Sequence, residues 1–216
     1  MKNDETYNWW LPLFSFLLGT GCRIGEALGL TWSDCDFKNN IISINHNLVY
    51  KPDEFTNKCE FRIMTPKTEA GIREIPMLAD VRQLLLDERE RQFREGFNKS
   101  NIDGYTGFIF TSKTNIVHRN SNINRALIRI VNKYNKQEEQ LAQKELRKPV
   151  FLPHISVHTF RHTFCTRLCE NESNLKIIQK IMGHSNISTT MDVYNEATQM
   201  KKKESFANLE GKFKIC

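Results

Sequence analysis

Apolar and polar positions change period several times along the 216 residues. Over residues 7–18 aromatics and leucines recur at near-helical spacing, Thr20-Gly21 interrupts them, and a short helical run follows from Arg23 to Leu30. This predicts two buried helices. After the polar stretch Ser33 to Asn40 come three short segments rich in Ile and Val, 41–50, 59–65 and 72–77. Turn residues such as Pro52-Asp53 and Glu69-Ala70-Gly71 divide them, which predicts a small antiparallel sheet. Asp80 caps a helix with Val81, Leu84, Leu85 and Phe93 on one face, ending before Gly96, and Phe108 to Phe110 reads as a brief extended piece. Ile123, Leu127, Ile130, Val131 and Tyr134 mark a helix over 120–134. Residues 136–148, mostly Lys, Gln, Glu and Arg, read as a solvated helical extension or a mobile loop closed by Pro149. His158 to Cys169 and Leu175 to Met182 predict two further helices, the second stopped by Gly183, and Thr189 to Tyr194 one more turn or short helix. In the tail, Phe206, Leu209 and Phe213 form an i, i+3, i+7 stripe after Lys201 to Lys203, a face that calls for a docking partner. With no internal repeat and no Gly/Ser-rich linker, the expected fold class is mainly α with a small three-stranded antiparallel β-sheet (α+β), in one domain.

Composition narrows the class. At 39% hydrophobic and 26% charged, with 10 Gly and 6 Pro, the chain is neither disordered nor fibrous. Its longest apolar stretch, Trp9 to Leu18, is broken by Pro12 and Ser15 and falls short of the roughly 18–20 residues that cross a bilayer, so no membrane partner is expected. The six cysteines, with no secretory leader before them, are expected to be reduced in a cytoplasmic setting. A net charge of +6 favours a polyanionic partner. Walker-type, GxGxxG, GxSxG and paired CxxC motifs are absent from the sequence, which removes nucleotide-driven and dinucleotide chemistry. His158 and His162 stand at i, i+4 and could hold a metal with Cys165 or His184, but Thr159 occupies the place where the zinc protease motif has its Glu. Neither a metal nor a cofactor is expected.

A scatter of phosphate-suited side chains carries more information: Arg23 after a Thr-Gly turn, Lys67 between two strands, then His158, Arg161 and His184, with Tyr194 ten residues further on. Each alone is an ordinary surface or core residue. In this order, as Thr20-Gly-Cys-Arg-Ile-Gly-Glu26, Thr65-Pro-Lys-Thr68 in a hairpin, His158-Thr-Phe-Arg-His162-Thr163 and Gly183-His-Ser-Asn-Ile-Ser-Thr-Thr-Met-Asp-Val-Tyr194, the sequence resembles the tyrosine recombinase (phage-type integrase) family, most closely the integrases of conjugative transposons. The resemblance spans residues 20–194. It implies a recombinase catalytic domain over 1–195 and a tail, 196–216, docking in cis or in trans. The family's N-terminal DNA-clamping domain has no counterpart in these residues, as expected of a fragment that opens almost directly into an apolar segment.

A phosphodiester transesterification needs a nucleophile, charge neutralisation on two nonbridging oxygens and a proton for the departing 5′ oxygen. The resemblance implies a site-specific DNA recombinase that cleaves and rejoins DNA through a 3′-phosphotyrosine on Tyr194 without metal or ATP. It implies Arg23, Arg161 and His184 on the phosphate, Lys67 as general acid, His158 assisting proton transfer, and Glu26 and His162 in support. The implied partners are double-stranded recombination sites, a homo-tetramer on DNA that exchanges the tail 196–216, and an accessory directionality protein, in a bacterial cytoplasm. Two alternatives keep the DNA. DNA relaxation of the type IB topoisomerase kind fits the Gly183-His184-Ser185 segment and its short spacing to Tyr194 less well, and a non-catalytic DNA-binding module leaves the joint presence of Arg23, Lys67, Arg161 and Tyr194 unexplained. Base readout is expected from the hairpin extension at 51–60 and the helix 120–134.

Overall fold

The computed structural model describes residues 7–54 and 56–207, the side chains beyond Gln199 excepted. Helix α1 (Leu11–Thr20) starts on Pro12 and ends at Gly21, whose φ of +63° turns the chain into α2 (Ile24–Gly29). Only glycine fits here, because a Cβ at position 21 would lie 2.4 Å from the Phe164 ring. Three strands, β1 (Cys35–Asp36), β2 (Ile41–Ile44) and β5 (Arg73–Pro76), form an antiparallel sheet with Ile42 opposite Ile75. Between β2 and β5 the chain makes a separate hairpin of β3 (Asn47–Pro52) and β4 (Cys59–Met64). Helix α3 (Ala79–Glu95) follows β5, and after the bridged residues of 102–117 come α4 (Asn120–Lys144), α5 (Val157–Asn171) and α6 (Leu175–Met182). Helix α7 (Ile187–Ala207), the last among the described residues, packs on α5 and α6.

Burial gathers in two places. The main core joins α1, α2, the three-stranded sheet, α3 and the first half of α4 through Phe16, Leu28, Ile42, Leu85, Phe108 and Ile123. A smaller one, Cys165, Cys169, Ile178, Met182 and Ala197, ties α5, α6 and α7 together.

Three expectations need amendment, and one open alternative is decided. The run 41–50 is not one strand of the sheet. It breaks at Asn45-His46, where the buried His46 ring puts Nε2 2.7 Å from the Gly29 carbonyl, so 47–52 pairs with 59–64 and Cys35–Asp36 supplies the third strand. Of the two readings of 136–148 the helical extension holds: α4 runs on to Lys144, with Glu138 and Ala142 at its inward positions. Glu138 receives Arg147 at 2.5 and 3.0 Å and the Val150 N–H at 2.8 Å, folding the following strap back on the helix. Phe93 is 79% exposed, and Gln92 takes its place on the buried face of α3, bonded to the Ile109 carbonyl at 2.7 Å and to the Trp32 indole at 3.0 Å. The turn or short helix expected over Thr189 to Tyr194 is part of a longer helix of 21 residues. The tail stripe of Phe206, Leu209 and Phe213 falls outside the described side chains.

Candidate active site

Helix α6 ends in a Schellman turn. Gly183, at φ +63°, lets its own N–H reach the Lys180 carbonyl and the His184 N–H reach that of Gln179, each at 3.2 Å. The next carbonyls, of Ile181, Met182 and Gly183, have no intrahelical donors and sit at the negative end of the helix dipole. Three guanidiniums occupy them in succession. Arg73 Nε donates to Ile181 (2.8 Å), Arg161 Nη2 to Met182 (2.5 Å) and Arg23 Nη2 to Gly183 (3.0 Å). Elements far apart in sequence, the start of α2, β5 and α5, are thereby fixed to one turn.

Three cations so close require an anion, and Glu26 provides it. Its carboxylate, 5% exposed, accepts Arg73 Nη1 (3.1 Å) and Nη2 (2.8 Å), Arg23 Nη1 (2.8 Å) and the Arg23 backbone N–H (2.8 Å) that caps α2. Burial alone would raise the Glu26 carboxyl; the hydrogen bonds and charge of Arg73, then those of Arg23, outweigh it and hold the group below its ordinary value. Arg161 Nη1 also donates to the Gly21 carbonyl at 2.7 Å, seating α5 against the end of α1. A single carboxylate does not neutralise three guanidiniums. Burial and then the Arg23 charge pull Arg161 down to about 10, and burial with Arg161, Arg23 and Arg73 pushes His184 down to about 4, a neutral imidazole at pH 7. A bound anion would relieve both. Arg23, its side chain 44% exposed, and Arg161 each commit two of five N–H donors to the described residues, which leaves donors for a ligand.

His184 follows directly. Its Nδ1 lies 3.0 Å from the hydroxyl of Thr190, which is fully buried, and its carbonyl accepts Gln179 Nε2 at 3.0 Å. Tyr194 is one helical turn beyond Thr190, half-buried and packed on the smaller core.

The sequence profile of the phage integrase family matches residues 1–201. This chain belongs to the phage integrase family. It is 36% identical over 197 residues to the transposase from transposon Tn916 of Enterococcus faecalis, covering 91% of this chain and 44% of that protein. To a XerC-like tyrosine recombinase of Caldanaerobacter subterraneus subsp. tengcongensis it is 29% identical over 207 residues, 93% of this chain and 49% of the relative. The chain thus spans about half the length of these relatives. The solved structure of the Tn1549 transposon integrase in complex with circular intermediate DNA matches at a TM-score of 0.75 and 33% identity, over 94% of this chain and 62% of that one.

Within this phage integrase domain the residues expected from sequence divide into two groups. Arg23, Glu26, Arg161 and His184 meet at the end of α6, and Tyr194 is joined to them through α7 and Thr190. Lys67 is exposed in the loop from β4 to β5, a crossing between the two sheets rather than a hairpin turn, and no hydrogen bond among the described residues ties its side chain to the cluster. His158 is exposed in the first turn of α5, three residues before Arg161. His162 faces α7, with Nε2 3.7 Å from the Glu196 carboxylate and Nδ1 3.5 Å from the Thr166 hydroxyl. Cys165, weighed as a metal ligand, lies in the smaller core, and no three His, Cys, Asp or Glu side chains cluster for a metal among the described residues. Two residues escaped the sequence reading. Thr190 gave no signal beyond its spacing of four from Tyr194. Arg73 did give one: the alternation of β5 puts it on the inward face with Ile75, and an inward arginine needs a buried anion.

Proposed function

We propose that this chain cuts and rejoins duplex DNA by transesterification through Tyr194, as a site-specific recombinase. The phenol oxygen attacks phosphorus, the bond from phosphorus to the 5′ oxygen breaks, and the 5′ oxygen takes up a proton, leaving a 3′-phosphotyrosine and a 5′-hydroxyl. Attack by a 5′-hydroxyl reverses the step. The phosphoester bond is conserved in the exchange, so rejoining needs no ATP. Arg23 and Arg161 hold the nonbridging oxygens through their remaining N–H donors, and two guanidiniums there do the electrostatic work that phosphoryl transfer chiefly requires. The Thr190 hydroxyl donates to His184 Nδ1, which keeps the proton on Nε2 to donate to the phosphate. Lys67 gives the proton to the leaving oxygen, His158 receives the one that Tyr194 loses, and His162 buttresses α5 against α7.

The observation that carries the proposal is the convergence of the arginines on one helix end, with the Tyr194 helix pinned to the same turn by the hydrogen bond between Thr190 and His184. Strand exchange joins two duplexes, so the working unit is a homo-tetramer on recombination sites in which 196–216 passes to a neighbour, with an accessory protein setting direction. The test is strand cleavage of nicked duplexes in excess EDTA. Cleavage unaffected by the chelator is expected; cleavage abolished by it would overturn the mechanism in favour of a metal hydrolase.

A further inference from the structure

The Lys67 loop and the arginine turn meet at Arg73. This side chain, 5% exposed, commits its donors to Glu26 (3.1 and 2.8 Å), the Ile181 carbonyl (2.8 Å) and the Gly71 carbonyl (3.1 Å). Gly71 closes the loop that carries Lys67. Its N–H donates to the Thr68 carbonyl at 2.9 Å, and Pro66 packs so tightly on it that a Cβ at 71 would lie 2.4 Å from the Pro66 Cβ. The same loop abuts the end of α6, where a Cβ on Gly183 would lie 2.9 Å from the Ala70 carbonyl. Arg73 therefore grips the loop with one hand and the phosphate-binding turn with the other. Buried and bonded on all sides, it is not placed to contact DNA.

We infer that Arg73 is a positioning residue for proton delivery to the leaving oxygen, holding the loop 66–71 against the end of α6 so that Lys67 reaches the phosphate bound by Arg23 and Arg161. The inference rests on the transesterification proposed above. It differs from a role in stability alone, because it assigns the effect of Arg73 to one step, the protonation of the 5′ oxygen.

That step can be bypassed. In a duplex whose 5′ bridging oxygen at the scissile phosphate is replaced by sulfur, the leaving thiol has a pKa of roughly 8.5, close to that of cysteine, and departs without a general acid. Rates of covalent adduct formation are compared on oxygen- and sulfur-bridged duplexes for the wild type, Lys67→Ala, Glu26→Gln and Glu26→Gln/Arg73→Met. The double variant removes both charges of the buried pair, so neither is stranded, and equal DNA affinity checks the fold. Relative to Glu26→Gln, the added Arg73→Met is expected to slow the oxygen-bridged reaction by about tenfold to a hundredfold and the sulfur-bridged reaction by less than about threefold, the pattern of Lys67→Ala. Equal slowing on both substrates, or none on either, overturns the inference. A Lys67→Ala defect that persists on sulfur overturns it through Lys67, and a wild type that forms no adduct on either substrate overturns the transesterification beneath it.

Discussion

Removing Glu26 leaves the buried Arg73 charge without an anion, and removing Arg73 leaves the buried Glu26 with Arg23 alone. Arg73→Met alone is expected to cost up to about 3 kcal/mol of stability in denaturant titrations, and adding Glu26→Gln to recover part of it, because the half-exposed Arg23 is then the one member of the network without its carboxylate. The second consequence of the crowded arginines is a pH dependence. His184 titrates near 4 in the folded chain against 6.5 for an ordinary histidine, so between those values the unfolded chain binds a proton that the folded chain refuses. Its contribution is complete above 6.5 and declines as pH falls toward 4; Glu26, also depressed, adds a loss in the same direction at lower pH. His184→Gln should flatten the decline across that window, read as stability against pH. An unchanged slope would remove the histidine from the account.

At the scale of elements, α7 depends on a small cluster separate from the main core. Ala197, 2% exposed, is the buried member of that cluster on α7, with Val193 and Tyr194 packed beside it, and a carboxylate there would be buried without a partner. Ala197→Asp is expected to undock α7 and abolish adduct formation while hydrogen exchange in α1 and the three-stranded sheet stays protected, since local opening need not breach the larger core. Much of this architecture was legible in the sequence. The span of α6 and its stop at Gly183 follow from an apolar face and one glycine, and α1 and α2 from the Thr20-Gly21 break. The strand pairing was not, because the choice between sheets turns on a buried His46 whose partners are distant in sequence. The far half of α4 could be read as helix or as loop, because its inward positions are Ala142 and Glu138, the latter held by Arg147 beyond the helix, which leaves no apolar period to decide. The same holds at the site, where Arg23, Arg161 and His184 were legible as motifs and Arg73 could be found only by asking what faces an inward arginine.

For the whole molecule, the proposed exchange between duplexes asks for several copies of the site that one chain holds. Deleting 200–216 should leave DNA binding in place and reduce both tetramer formation, measured by light scattering on DNA, and cleavage; a truncated chain that assembles and cleaves as before removes the tail from the assembly. The central claim is chemical, that the Tyr194 oxygen becomes bonded to the DNA phosphorus. The direct measurement incubates wild-type and Tyr194→Phe chains with nicked duplexes in EDTA, denatures them in SDS, and counts protein carried on the DNA. The account predicts an SDS-stable adduct for the wild type, none for Tyr194→Phe, and matching affinities of the two for the duplex. Adducts of equal yield in Tyr194→Phe would contradict it.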